Sequence, residues 1–196
     1  MKKGAGKNKG GAYERLICKK LSLWWTNGKR DDVFARTASS GGRATQRSKR
    51  NKSTFGQYGD IQAADPIGQP LIDLFTIECK DGYASHSIAD LLDREPRHNP
   101  AYEQFIQQAR SSCIHSKSVY WMLIARRRGR QIMVFMPAQA FRELYLHYNH
   151  PDIPLLLKMR TRLKDLGLRM DIIGIQLDCF LKRVKVKDIK DIARGH

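Results

Sequence analysis

The sequence predicts a mixed α/β domain with a central sheet, and three observations carry that expectation. The 196 residues suffice for one domain with a real core and fall short of two. Hydrophobic residues make up 41% and charged ones 28%, a packed globular composition. Helical and strand-like apolar patterns alternate in the order helix, three strands, helix, strand, followed by additions.

The elements follow in order. Residues 12–27 place apolar side chains at 13, 16, 17, 21, 24 and 25, a helical stripe that ends at Asn27-Gly28. Residues 32–37 are short and β-like, and residues 59–64 read as a second strand. The turn-forming run Asp65-Pro66-Ile67-Gly68-Gln69-Pro70 then separates it from a third strand over residues 71–80, which reads as a hairpin. Residues 100–116 put Tyr102, Phe105, Ile106 and Ala109 on one helical stripe. Residues 118–125 and 131–136 are strands around the turn Arg126-Arg127-Arg128-Gly129-Arg130. Residues 137–148 and 154–166 look helical, and residues 171–181 look like a last strand. The expected organisation is a flexible basic arm over residues 1–11 and a core over residues 12–136 that carries a basic loop at 37–58. Residues 137–196 then form an extension packed on the same domain.

Charge narrows the function. The formal net charge is +17, with 36 Lys and Arg against 19 acids. Residues 1–58 hold 15 of those cations and only three acids, Glu14, Asp31 and Asp32. Such a chain suits a polyanionic partner, and DNA is the expected one. Arg36, Ser39, Ser40, Arg43, Arg47, Lys49, Arg50 and Lys52 are the candidate contacts to it. A charged tail that only adds solubility is the competing reading of these stretches. No apolar run approaches the length of a membrane span, and the Lys-rich start has no apolar core of a secretory signal. The four cysteines stand 61, 34 and 66 residues apart, without a Cys-x-x-Cys pair. That spacing argues against a zinc module and for reduced thiols in the cytoplasm.

The informative segment is Thr76-Ile77-Glu78-Cys79-Lys80. On a strand Glu78 and Lys80 share a face, while Ile77 and Cys79 point into the opposite layer. Asp60 and Glu78 each lie nine residues from Gln69, so an antiparallel register about that turn sets the two carboxylates opposite each other. Facing carboxylates repel unless a proton or cation lies between them, and this few oxygen ligands suit Mg²⁺. Lys80 beside them could position the attacking water or hold the scissile phosphate, which suits metal-assisted phosphodiester hydrolysis.

Asp60 followed by Glu78-x-Lys80 resembles the signature of the PD-(D/E)XK nuclease superfamily, and the element order resembles its shared core. The helix start Gly10-Gly11-Ala12-Tyr13-Glu14 is similar to that of archaeal-type Holliday-junction resolvases, as is Arg36 followed by Ser39-Ser40-Gly41. The resemblance covers about residues 9–125. It implies a restriction-endonuclease-like core with C-terminal helical and strand additions. It also implies a Mg²⁺-dependent DNA endonuclease in which Mn²⁺ can substitute, acting on branched DNA; two opposed cuts at a junction suit a homodimer, and a small, tailed, Lys-rich nuclease suits a bacterium or its phage. Asp60, Glu78, Glu14 and the backbone carbonyl of Cys79 would hold the metal, Lys80 would activate water, and Gln108 on the following helix would lie near the phosphate. Asp60 follows Gly59 where the strict motif has proline. A sequence-reading nuclease of the same fold and a non-catalytic nucleic-acid-binding protein are the alternatives.

Several residues also have plainer readings. Glu78 and Lys80 can form an exposed ion pair, Glu14 can be a first-turn helix acid, and Arg36 a strand-end charge. His147, His150 and Asp152 admit a metal reading, but they sit at a helix end before a proline. Trp24, Trp25 and Trp121 lie in apolar stretches and fit the core or an interface.

Overall fold

The computed structural model describes residues 5–37, 58–93, 100–146, 157–163 and 168–196. Helix α1 (Ala5–Trp25) is set by Tyr13, Ile17, Leu21 and Trp25, which recur every fourth residue and are all buried. It ends where Asn27 and Gly28 take positive φ, and the Gly28 N–H turns back to the Leu23 carbonyl at 2.6 Å. The helix takes in residues 5–11, which the sequence reads as an arm. Once the buried stripe anchors the helix, extending it adds one hydrogen bond per residue.

Strands β1 (Phe34–Arg36) and β2 (Ile61–Ala63) pair antiparallel in a small two-stranded sheet. The main sheet has five strands in the order β3-β4-β5-β7-β6. These are β3 (Phe75–Gly82), β4 (Tyr120–Arg127), β5 (Ile132–Pro137), β6 (Leu157–Leu163) and β7 (Leu168–Gln176). β3 and β4 run parallel, joined across one face by helix α4 (Ala101–Ser116), and every other pairing is antiparallel. Residues Phe75 to Cys79 are all buried, because α1 covers one face of β3 and α4 the other. Ile77 and Cys79 enter the α1-side core, as the alternation predicts. Among the described residues no helix is long and apolar enough to cross a membrane.

Three expectations are corrected. The segment before β3 is not a hairpin arm. Pro66–Gly68 form a 3-10 turn whose Ile67 N–H is capped by the Asp65 carboxylate, and Gln69–Leu74 form helix α2. Pro70 in the first helical turn and Leu71 with Leu74, buried three apart, favour helix over strand there. Residues 157–163, read as helical, form β6. Met159 and Thr161 are buried while Lys158 and Arg160 are exposed, and Arg160 pairs with Asp171 across the ladder to β7. Pairing with β7 overrides the helix preference of Leu, Lys, Met and Arg. The final strand stops at Gln176, and the chain continues as α6 (Leu177–Arg183) and α7 (Val186–Gly195). Leu177 and Phe180, one helical turn apart, are buried, and Phe180 packs on Trp24 at 5.7 Å.

The remaining expectations divide. Helix α5 (Ala138–Phe141) runs on into a π turn (Arg142–Leu146) within the stretch read as helical, and helix α3 (Asp90–Asp93) precedes α4. Trp25 and Trp121 are core residues, and Trp24 packs against the same core. Cys18, Cys79 and Cys113 are buried free thiols, and Cys179 is a partly exposed one. Ser39, Ser40, Arg43, Arg47, Lys49, Arg50 and Lys52, together with His147, His150 and Asp152, lie outside the described residues. Ile77 is fully buried where α1 meets the sheet. Replacing it with Ala is expected to cost about 2–5 kcal/mol in urea unfolding, with the far-UV circular dichroism of the folded state unchanged.

Candidate active site

The site forms on the edge of β3 that no sheet strand covers. On a strand, the N–H and C=O of one residue point to the same side, so Ile77 and Cys79 turn their peptide groups toward that edge. Asp60 occupies it. Its N–H donates to the Ile77 carbonyl at 2.8 Å, and its Oδ2 accepts the Cys79 N–H at 2.8 Å. The Cys79 carbonyl points to the same free edge. Asp60 and Glu78 are brought together, but by this edge contact and not by the β2–β3 ladder that the sequence predicts. β2 pairs with β1 instead. The physical reason is that α2 takes up the residues the ladder would need.

Gly59 makes the approach possible. It has φ +73°, and a Cβ there would stand 2.7 Å from the Ile77 carbonyl oxygen. Thr37, at the end of β1, completes the support: its N–H donates to the Asp60 carbonyl at 3.0 Å and its hydroxyl to the Gly59 carbonyl at 2.9 Å.

Glu78 is 2% exposed and is held from α4. Gln108 Nε2 donates to its Oε2 at 2.9 Å, and Ser112 Oγ donates to its Oε1 at 3.0 Å. The two residues stand one turn apart on the face of α4 that looks at β3. The Gln108 amide oxygen accepts from Lys80 Nζ at 2.8 Å, and Nζ also lies 3.6 Å from Glu78 Oε2. Gln108 thus bridges acid and lysine, with its oxygen on the donor and its nitrogen on the acceptor, as the chemistry requires. Gln108, which the resemblance puts near the phosphate, thus reaches both groups.

Glu14 and Arg36 also meet near the site. Arg36 Nε donates to Glu14 Oε2 at 2.8 Å, and Glu14 lies close enough to Asp60 to raise its pKa. The Arg36 guanidinium lies over Gly11, where an added Cβ would stand 3.2 Å from it. Among the described residues no group of three or more His, Cys, Asp or Glu converges as a metal cage. The centre therefore offers two adjacent carboxylates and one backbone carbonyl, with Glu14 held by arginine at its border.

Burial pushes the Glu78 carboxyl up to about 8, and the neighbouring Asp60 adds to the shift. Burial also raises Asp60, against the pull of the Cys79 N–H and Lys80. The two carboxyls lie close enough for each to affect the other's titration. Two desolvated acids in contact retain a proton, or exchange it for a cation. Burial raises the Cys79 thiol well above its ordinary value, and Asp60, Cys18, Glu78 and Glu14 add to the shift; the thiol itself faces the α1-side core.

Sequence reasoning misses Ser112 and Thr37. Ser112 was legible in principle, since it follows Gln108 by one helical turn. Thr37 had no such signal, because its contact depends on how β1 meets residue 60. Arg126 belongs to β4 and not to a hairpin tip. It makes two bonds to Asp81, at 2.8 and 3.0 Å, and stacks over Tyr13 at 4.8 Å.

An α/β core flanked by helices, with an acid pair and a lysine on one strand edge, defines the PD-(D/E)XK nuclease class. Comparison with family models agrees. The chain belongs to the family described as "Phage putative PDDEXK endonuclease", whose model matches residues 5–191. The match takes in the C-terminal third, which the sequence resemblance did not reach. No curated protein and no solved structure matches the chain.

Three outcomes follow from this geometry. Without metal, folded Glu78 keeps a proton that the unfolded chain releases near 4.5, so its contribution to stability is complete below that pH and is lost as pH rises through about 8. Thermal melting in chelator is expected to fall more steeply across that window for the wild type than for Glu78→Gln. Gly59→Ala is expected to displace Asp60 and abolish divalent-cation binding in calorimetry. Ser112→Ala, which keeps both acids, should weaken that binding by about 10- to 100-fold.

Proposed function

We propose that this protein is a divalent-metal-dependent DNA endonuclease that selects branched DNA, with Mg²⁺ as the working ion and Mn²⁺ as a substitute. The observation that carries the reading is the buried Asp60–Glu78 pair held against Lys80 on the free edge of β3. A pure binding protein has no reason to bury two touching acids beneath a surface of net positive charge.

The donor set fits such an ion. Asp60, Glu78 and the Cys79 carbonyl would hold it, in keeping with the one or two carboxylates that Mg²⁺ takes from protein. When bound, the ion supplies charge for the phosphoryl oxygens and lowers the pKa of water. Lys80 orients the attacking water or holds the phosphate. Its ammonium has three donors: Gln108 takes one, Glu78 lies 3.6 Å away beside a second, and the third can turn toward substrate. Gln108 and Ser112 keep the Glu78 carboxylate in one orientation. Glu14 and Arg36 set the border of the centre, and Arg36 offers a cation to the DNA backbone.

The choice of branched DNA rests on the resemblance of Gly10-x-x-x-Glu14 and Arg36 to Holliday-junction resolvases, supported by the contact of Arg36 with Glu14 and Gly11. The basic residues Arg43, Arg47, Lys49, Arg50 and Lys52, with Ser39 and Ser40, grip the duplex arms through phosphates, giving affinity without sequence preference. Two opposed cuts at a junction need two sites related by a two-fold axis, so a homodimer belongs to this reading.

The test is cleavage of labelled four-way junction, flap and linear duplex DNA with Mg²⁺, Mn²⁺ or chelator, with Glu78→Ala beside the wild type. The expected result is metal-dependent cutting of the junction, lost in the variant. Cutting of linear duplex at defined sequences would overturn structure selectivity. Tight, salt-sensitive binding without cutting in either metal would overturn the catalytic reading.

A further inference from the structure

Beyond Lys80 the chain leaves the site through aromatic rings that the hydrolysis described above does not use. β3 ends at Gly82, whose φ is +103°, and the next residue, Tyr83, is 43% exposed. Its ring stands edge-on to Phe105 at 4.6 Å and 64°. Phe105 in turn lies under the Lys80 ammonium, 5.5 Å from ring centroid to Nζ. One ring therefore links the exposed tyrosine to the lysine of the site. Behind Phe105 the contacts continue to Tyr102 at 5.6 Å and to Phe135 on β5 at 5.7 Å. The position of Tyr83 is thus inherited from the sheet, and its orientation is held by edge-to-face packing. The His86 ring lies 6.4 Å away, tilted by 53°. Arg127 is the register partner of Gly82 on β4, and it lies near Tyr102, on the α4 side of the sheet. Arg127 thus supplies a cation on the strand next to the one that leads into Tyr83, a charge that suits the phosphates of a bound strand.

We propose that the exposed face of Tyr83 is a stacking platform for an unpaired nucleobase beside the cleaved phosphate, an inference that rests on the nuclease reading above. In a continuous duplex the faces of each base are covered by its neighbours. Only a base freed at a branch, flap or end can lie on a protein ring. Phosphate contacts do not distinguish these cases. An aromatic face next to the site does, so Tyr83 supplies a physical means of selecting DNA structure.

Binding in chelator tests the platform without cleavage. The probes are a splayed duplex carrying 2-aminopurine at the first unpaired position and a fully paired duplex of the same length. The wild type is expected to quench the 2-aminopurine. Tyr83→Ala is expected to weaken binding of the splayed DNA by about 5- to 150-fold, the range that one base stack is worth, and to relieve the quenching. Affinity for paired duplex should stay unchanged, and Tyr83→Phe should behave as wild type. Tyr83→Leu, which still covers Phe105 but has no aromatic face, should repeat the alanine result and serves if Tyr83→Ala melts early. Equal affinity of wild type and Tyr83→Leu for splayed DNA, an equal loss on both DNAs, or a loss in Tyr83→Phe overturns the platform. Cleavage by the wild type in Mg²⁺ is read separately. Cutting without Tyr83-dependent stacking removes the platform alone, and stacking without cutting removes the nuclease reading alone.

Discussion

The free edge of β3 is the constraint on which the rest of the site depends. A strand flanked on both faces by helices still exposes the peptide groups of alternate residues at its edge, and these must be satisfied. In this protein Asp60 satisfies two of them, the Ile77 carbonyl with its own N–H and the Cys79 N–H with its carboxylate. The edge is closed by an acidic residue, and that acid is thereby placed against Glu78. Backbone satisfaction and assembly of the centre are one interaction.

That arrangement explains why the surrounding residues are of the types found. Gly59 is needed because any side chain would strike the Ile77 carbonyl. Thr37 holds the peptide on either side of Asp60. On the other side, α4 must present hydrogen-bond donors to a buried acid, and Gln108 and Ser112 do so from consecutive turns. Lys80 reaches the same amide with its ammonium while its chain packs over Phe105. The acids remain costly to bury without an added proton or cation, which raises both carboxyls.

The parallel pairing of β3 and β4 has a second consequence. It requires a crossover, and the crossover is α4, which carries Gln108, Ser112 and the ring of Phe105. The helix that completes the sheet also supplies the side-chain donors to Glu78 and the ring that joins Tyr83 to Lys80. The C-terminal hairpin β6–β7 extends the sheet at the far side from β3. It takes no part in the centre, although the family match includes it.

The sequence by itself determined the α/β class, the stripe of α1, the α4 helix, the β4–β5 hairpin, and the shared strand face of Glu78 and Lys80. These are properties of local period and residue type. A helix or strand pattern repeats within a few residues, and Glu-x-Lys on a strand sets both side chains on one face whatever surrounds it. Tertiary structure alone decided how Asp60 meets Glu78, since a turn-centred register suggested a hairpin while the chain folded residues 69–74 into helix and used the strand edge instead. It also decided β6, where a partner strand outweighed helix-forming residues, and the roles of Thr37 and Ser112. Local pattern reports which face a residue takes. Which edge is left open, and which side chain closes it, depends on elements far apart in the chain, and only their packing settles it.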